Sequence, residues 1–181
     1  QIFENPDEPG IYYMYANRVG PEVYKNKSVQ EIYEPGSVFK TIAMAAAIDA
    51  GEVKPNTTFA GYGPLKVDEF EIHTFNDVYY GVSTMTDVLV HSDNTGMAWV
   101  AQKLGRSLFY NYIKKFGFGK RTDIELADEE EGRVEYYKDW AESELATHGF
   151  GQGISTTPIQ VIAGVATLAN NGVLMRPHVI E

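Results

Sequence analysis

Apolar residues recur at helical spacing through the middle of the chain. Positions i, i+3, i+4 and i+7 share one face of a helix, so this spacing is typical of an amphipathic helix. The pattern predicts three consecutive helices, the second closed by Gly105 and the third ending before Gly117. Their apolar faces are expected to be Met85, Val88 and Leu89; then Met97, Val100, Ala101 and Leu104; then Phe109, Tyr112, Ile113 and Phe116.

Two further helices are predicted from their boundaries. An alanine-rich segment favours a helix from Ser37 to Ala50, and its small side chains indicate close packing on several sides, as in a central helix. The last helix is expected to begin at Thr157, where Pro158 and Gln160 complete a capping box. Its buried stripe is predicted to be Ile159, Ile162, Ala163 and Ala166. Residues 173–175 are then expected to begin a strand.

The remaining segments carry weaker patterns. Residues 1–30 are rich in Pro, Asn, Gly and Tyr without a steady period, which predicts a loop or rim segment. Residues 57–82 show partial alternation, with Leu65 and Val67 followed by Phe70 and Ile72, which predicts short strands and turns. The acidic segment 125–135 is expected to be a solvated face.

The amino-acid composition argues against several classes of function. The 181 residues are 44% hydrophobic, enough for the core of a single domain. A net charge of −10 without a Lys/Arg cluster argues against a nucleic-acid partner. The chain has no cysteine for disulfides or thiolate metal sites, and its four histidines are scattered, so no metal site and no cofactor is predicted. No apolar run approaches the length of a membrane span.

Ser37 and Lys40 are the first candidate catalytic residues. They lie three positions apart at the start of the alanine-rich helix, so their side chains can share one face. A serine hydroxyl attacks an acyl group at neutral pH only when a base removes its proton, and a lysine with a lowered pKa can be that base. The alternative is structural, with Ser37 as a helix cap and Lys40 as a solvated first-turn residue. This motif alone fits both interpretations.

Ser92-Asp93-Asn94 lies on the predicted connection between two helices. Taken alone it fits an ordinary helix cap, because Ser, Asp and Asn are the residues that caps favour. However, Ser-x-x-Lys followed by Ser-Asp-Asn and a later Lys-Thr-Gly is the signature of penicillin-binding proteins and class A β-lactamases. The first two elements occur here in that order.

The wider sequence resembles the transpeptidase domain of class B, monofunctional penicillin-binding proteins. The matching segments are YEPGSVFK at 33–40, TDVLVHSDNTGM at 86–97, FGFGKRTDIEL at 116–126 and GFGQGISTTPIQ at 149–160. The resemblance implies an α+β fold of the β-lactamase and penicillin-binding protein type. Residues 1–181 are expected to be a partial, mainly helical transpeptidase domain that is truncated at both ends and lacks most of the sheet. The third motif, Lys-Ser/Thr-Gly, is expected beyond Arg176-Pro177-His178 and does not occur in the sequence.

The resemblance also implies a function and its residues. Ser37 would be the acylated nucleophile, Lys40 its base, Ser92 a proton relay and Asn94 a substrate-binding residue, in a peptidoglycan D,D-transpeptidase inhibited by β-lactams. Peptidoglycan stem peptides, β-lactams and other cell-wall synthesis proteins are the expected partners. The expected location is the extracytoplasmic face of a bacterial membrane, with attachment only through an N-terminal anchor outside this sequence.

Three alternatives share the first two motifs. A class A β-lactamase would need a Glu-x-x-Leu-Asn pattern, which does not occur here. A β-lactam-sensing or binding module would undergo the acylation without turnover, although the YEPGS and GFGQG segments favour the transpeptidase. A non-catalytic fragment would lack the Lys-Ser/Thr-Gly motif. The glycines of GFGQG, at 149, 151 and 153, are interpreted as permitting tight backbone turns behind the cleft, because the segment lacks the Lys-Ser/Thr of a phosphate-binding loop.

Overall fold

The computed structural model describes residues 2–5, 7–14 and 24–180. Within these residues the α-helices are α1 (Lys27–Gln30), α2 (Lys40–Asp49), α3 (Met85–Val90), α4 (Asn94–Leu104), α5 (Arg106–Lys115), α6 (Glu142–His148) and α7 (Pro158–Ala169). The strands are β1 (Ile2–Glu4), β2 (Tyr12–Met14), β3 (Thr58–Gly61), β4 (Leu65–Val67), β5 (Phe70–Ile72) and β6 (Gly81–Thr84). The described strands form three antiparallel pairs, β1 with β2, β3 with β6 and β4 with β5.

Helix α2 is at the centre of the core and contacts α4, α5 and α7. Its alanines at 43, 46 and 47 are fully buried, which confirms the close packing predicted from the alanine-rich segment. Small side chains allow neighbouring helices to approach closely. Phe39, directly before α2, packs edge-on against Phe118 at 5.1 Å between ring centroids. Phe39 and Lys40 therefore lie in the core, whereas Ser37 in the same segment is exposed.

The three helices predicted in the middle of the chain are confirmed as α3, α4 and α5. Thr84 forms a capping box with Asp87 at the start of α3, and Gly105 separates α4 from α5 with a φ of 70°. The alternation at 65–72 is also confirmed, as the β4–β5 hairpin. Helix α2 differs from its prediction, because residues Gly36–Phe39 form a 3₁₀ turn and the α-helix begins only at Lys40.

The prediction of a loop over residues 1–30 is wrong for the hairpin β1–β2 and for α1; residues 15–23 lie outside the described residues. The hairpin loop is closed by a hydrogen bond from the Asn5 N–H to the Ile11 carbonyl at 2.7 Å, and the Glu4 carboxylate accepts one from the Gly10 N–H at 2.9 Å. Each strand has only three residues. Such short strands show too little alternation to be recognised in a sequence.

The capping box of α7 is confirmed, but the predicted buried stripe is wrong. The buried residues of α7 are Gln160, Val161, Gly164 and Thr167, while the side chain of Ile162 is 63% exposed. Gly164 lies against the ring of Phe118, and the Gln160 amide donates to the carbonyls of Lys120 and Glu131 at 2.7 and 2.9 Å. Since α7 is apolar on more than one face, its spacing did not indicate which face is buried.

Two further expectations differ from the structure. Residues 173–175 form no strand. Within the acidic segment, Glu129 is buried, with 6% exposure, whereas its neighbours Asp128 and Glu130 are exposed. The Glu129 carboxylate accepts hydrogen bonds from the backbone and hydroxyl of Thr122 and from the Asp123 N–H. A buried carboxylate is tolerated when it is hydrogen-bonded in this way, so here it fixes a turn that the charge pattern could not predict.

Candidate active site

The 3₁₀ turn Gly36–Phe39 presents Ser37 to solvent directly before the buried Lys40. Phe39 anchors the turn in the core, since its side chain is 1% exposed. The Lys40 N–H donates to the Ser37 carbonyl, which joins the turn to α2 without a break. The sequence thus places an exposed serine and a buried lysine three positions apart, the first in the 3₁₀ turn and the second at the start of α2.

The glycine-rich segment 149–153 holds this turn from behind. The Gly36 N–H donates to the Gly151 carbonyl at 3.0 Å, and the Gly153 N–H donates to the Glu34 carboxylate at 2.9 Å. Gly151 has a φ of 77°, and a Cβ atom placed on it would lie 2.3 Å from the Gly36 carbonyl oxygen. No other residue fits that contact without displacing the backbone. The interpretation of these glycines as tight-turn residues is thereby confirmed for Gly151.

The connection between α3 and α4 consists of His91, Ser92 and Asp93, and Asn94 is the first residue of α4. Ser92 has a φ of 52°, in the left-handed region. Asp93 is the N-cap and is 3% exposed; its carboxylate accepts from the Thr95 N–H at 2.8 Å, the Thr95 hydroxyl at 2.7 Å and the Gly96 N–H at 3.0 Å. The turn that makes Asp93 the N-cap of α4 therefore also positions Ser92 and Asn94.

Lys40 is the centre of the site. Its side chain is buried, with 2% exposure, and Nζ donates to the Ser92 carbonyl at 2.6 Å, the Ser92 hydroxyl at 2.9 Å and Asn94 Oδ1 at 2.7 Å. An ammonium group has three N–H donors, and here each has an acceptor. The Asn94 amide also donates from Nδ2 to the His73 carbonyl at 3.1 Å, which connects the cluster to the end of β5.

Burial makes the charged form of Lys40 costly and lowers its pKa from 10.5 to about 8, while the Asp93 carboxylate acts in the opposite direction. A pKa near 8 leaves a substantial fraction of the amine neutral close to physiological pH. Only the neutral amine can accept a proton. The arrangement can therefore supply a base three residues after an exposed serine.

The structure joins three of the four predicted site residues through side-chain contacts. Lys40, Ser92 and Asn94 form one hydrogen-bonded cluster. Ser37 is adjacent through the backbone only; among residues 24–180, no hydrogen bond joins its hydroxyl to another side chain. A helix cap within Ser92-Asp93-Asn94 was the structural alternative in the sequence, and it holds for Asp93, whereas Glu34 was not predicted as a contact of the glycine-rich segment. Asp93 carried a signal in its cap-favouring neighbours, whereas Glu34 carried none.

A cavity of about 460 Å³ opens beside this cluster, with Asn94 in its wall. It lies between the β4–β5 hairpin and α6, and its floor includes Ile72 and Phe150. Over the described part of the chain, no group of three or more His, Asp or Glu side chains is arranged to hold a metal ion. In the same part of the chain, no helix is both long enough and apolar enough to cross a membrane.

A family profile described as "Penicillin binding protein transpeptidase domain" matches residues 4–181. The chain belongs to the transpeptidase domain family of the class B penicillin-binding proteins. This assignment confirms the resemblance found in the sequence, including the α+β fold type.

Curated relatives support the class B assignment. Stage V sporulation protein D of Bacillus subtilis is 37% identical over 165 residues, which are 90% of this chain and 26% of that protein. Peptidoglycan D,D-transpeptidase FtsI of Escherichia coli is 31% identical over 153 residues, or 84% of this chain and 25% of that protein. The chain thus spans about a quarter of the length of these class B relatives.

Solved structures show the same fold. Penicillin binding protein 3 from Mycobacterium tuberculosis, complexed with aztreonam, superposes with a TM-score of 0.80 at 32% identity, over 86% of this chain and 35% of that one. The transpeptidase domain of penicillin-binding protein 3 from Burkholderia pseudomallei gives a TM-score of 0.83 at 26% identity, over 88% and 48% of the two chains. The helices around Lys40 therefore belong to a fold shared by penicillin-binding proteins.

The contact between Gly151 and the Ser37 turn leads to a stability prediction. Gly151→Ala should lower the free energy of unfolding by about 2–4 kcal/mol, because it adds a clash to the strain of a left-handed φ. Gly51 is the matched control, since it has the same φ of 77° but no atom within 4 Å of its added Cβ. Gly51→Ala should cost only about 1–2 kcal/mol. Urea unfolding measures both values; equal losses would show that the turn does not depend on this contact.

Proposed function

We propose that the protein is a serine D,D-transpeptidase that cross-links peptidoglycan stem peptides and is acylated by β-lactams. The observation that carries the proposal is the buried Lys40 amine, held by Ser92 and Asn94 three residues after the exposed Ser37. A serine nucleophile needs a nearby base, and a buried lysine with a lowered pKa is one group that can serve as that base.

In the acylation step, the Ser37 hydroxyl attacks the carbonyl of the penultimate D-alanine. Lys40 in its neutral form accepts the hydroxyl proton, and burial makes this form accessible. The carbonyl carbon forms a bond to Ser37 Oγ, the peptide bond to the terminal D-alanine breaks, and the leaving amine takes a proton. Ser92, within 2.9 Å of Lys40 Nζ, is suited to relay that proton.

Two groups would orient the substrate and stabilise the charge that develops. The Asn94 amide has two N–H donors, of which one is used by the His73 carbonyl, so the second remains for a substrate carbonyl. The Ser37 backbone N–H lies at the start of the 3₁₀ turn, where an N–H has no partner within the turn, and can donate to the oxyanion. In the second step an amine of another stem peptide would replace Ser37 on the acyl group.

The relatives' names support the substrate class. The Escherichia coli relative is a peptidoglycan D,D-transpeptidase by name, and structures of the Mycobacterium tuberculosis neighbour contain aztreonam and ampicillin. Because the chain spans only part of these proteins, the activity, the β-lactam inhibition and the partnership with other cell-wall synthesis proteins are proposed by similarity. The extracytoplasmic face of the membrane is the proposed location on the same grounds.

Because the proposed mechanism proceeds through an acyl-enzyme, we expect a β-lactam to form a covalent adduct at one serine. The full-length protein, treated with a fluorescent penicillin, should carry the label on Ser37, as mapped by mass spectrometry of a peptide digest. Ser37→Ala should abolish labelling, whereas Ser28→Ala, which removes an exposed hydroxyl on α1, should not change it. Label on another serine would remove Ser37 from this role. A lasting adduct in a protein that never processes stem peptides would instead favour a β-lactam-binding module.

The role of Lys40 as base predicts a pH dependence with a definite sign. Because the pKa of Lys40 is lowered, the neutral fraction of its amine increases as the pH rises through about 8. The rate of Ser37 acylation should therefore rise about tenfold per pH unit below that value and level off above it. Lys40→Arg should reduce the rate by several orders of magnitude, since arginine stays protonated. A rate independent of pH between about 6 and 8, or near-normal acylation by Lys40→Arg, would mean that another group activates Ser37.

A further inference from the structure

The cavity beside Asn94 is lined by polar and charged side chains that have no role in the proposed acylation step. Besides Asn94, its polar lining consists of Glu71, His73, Ser143, Glu144, Thr147 and Gln152. Phe70, Ile72 and Phe150 supply the apolar part. All of these residues lie in the described part of the chain, and none is Lys or Arg. The cavity is therefore a mixed, acidic site large enough for a side chain of a peptide.

The two carboxylates of the cavity come from opposite walls. Glu71 is on β5, and its partner is His73 Nε2 at 3.8 Å, with both side chains about half exposed. Lys66 lies across the hairpin from Glu71, but it does not line the cavity. Glu144 is on α6; Oε2 accepts from the Ala141 N–H at 2.7 Å, and within the described residues Oε1 accepts no hydrogen bond. One wall thus offers a carboxylate oxygen that is free to bind a ligand.

Asn94 is the shared wall between this cavity and the Lys40 cluster. Its Oδ1 accepts from Lys40 Nζ at 2.7 Å, while its Nδ2 donates to the carbonyl of His73, which also lines the cavity. A group bound in the cavity would therefore be one side chain away from the proposed base. Asn94 therefore links the cavity to the Lys40 cluster.

The charges of the two peptide substrates decide which of them suits the cavity. The donor peptide brings a terminal carboxylate toward Ser37, and two cavity carboxylates without a facing Lys or Arg would repel it. The acceptor peptide brings an amine, which is an ammonium in solution and would be attracted. Apolar surface from Ile72 and Phe150 matches the hydrocarbon chain that carries such an amine.

We propose that this cavity binds the ammonium-bearing side chain of the acceptor stem peptide before it attacks the Ser37 acyl-enzyme. The inference rests on the proposed transpeptidase function. The bound ammonium first loses one proton to solvent water, which leaves the neutral, nucleophilic amine. Its nitrogen then bonds to the acyl carbon, the bond from that carbon to Ser37 Oγ breaks, and Ser37 regains a proton by way of Lys40.

The experiment compares two acceptors that differ in charge. The full-length protein is acylated with a stem-peptide thioester, and the ratio of aminolysis to hydrolysis is measured with Nα-acetyl-lysine amide, a cation, and with hydroxylamine, which is neutral at neutral pH. The double variant Glu71→Gln with Glu144→Gln removes both charges. Each glutamine retains a side-chain oxygen, so the hydrogen bond from the Ala141 N–H can persist. Glu69→Gln, at the exposed tip of the same hairpin and outside the cavity, is the matched control.

The double variant should lower the ratio of aminolysis to hydrolysis for the lysine derivative about tenfold at low salt. Two partly exposed ion pairs together strengthen binding of a cation by about this factor. The ratio for hydroxylamine, the rate of penicillin acylation at Ser37 and the behaviour of Glu69→Gln should all stay unchanged. Added salt should reduce the difference between the original protein and the double variant.

Three results would overturn the proposal. An unchanged ratio for the lysine derivative would show that the carboxylates do not bind the acceptor, and an equal fall for hydroxylamine would show a structural effect. Slower acylation by the stem-peptide thioester with an unchanged ratio would place the donor in the cavity. Absence of acylation in the original protein would instead overturn the proposed function itself, which keeps the two failures distinguishable.

Discussion

The burial of the Lys40 amine against Ser92 and Asn94 is the interaction on which the site depends. A lysine that is 2% exposed is destabilising unless its donors are paired, and here all three acceptors come from a three-residue segment more than fifty positions later in the chain. The left-handed Ser92 and the buried cap Asp93 are what turn those acceptors toward Nζ. The same burial lowers the pKa of the amine to about 8, so one packing arrangement both buries Lys40 in the core and makes its neutral form accessible near neutral pH.

Much of this could be predicted from the sequence. The helices α3, α4 and α5 follow a regular apolar spacing and have glycine or cap residues at their boundaries. The capping box at Thr157 could be predicted because its hydrogen bonds join residues only three positions apart. The sequence indicated that Lys40, Ser92 and Asn94 belong together, because two short motifs in a fixed order exclude far more alternatives than either motif alone, and the structure joins these three residues by hydrogen bonds. Their joint placement follows from α2 and α4 packing against each other, which local sequence does not encode.

The parts that could not be predicted depend on distant contacts. Ile162 was expected to be buried, but α7 is apolar on more than one face, and the small Gly164 decides which face meets Phe118. Glu129 is buried because backbone groups of another turn bind its carboxylate, whatever the charge of its neighbours. The cavity beside Asn94 also combines residues of β5 and α6 that have no shared sequence signal. In each case the deciding partner lies elsewhere in the chain.

The most direct test of this account is the ionisation of Lys40 itself. Lysine labelled with ¹³C at Cε can be titrated by NMR in the full-length protein, with the Lys40 signal assigned by its loss in Lys40→Arg. We expect a midpoint of about 8, well below the ordinary 10.5, because the amine is buried. A midpoint near 10.5 would show that Lys40 stays an ammonium at neutral pH, and it would contradict the role of this residue as the base of the site.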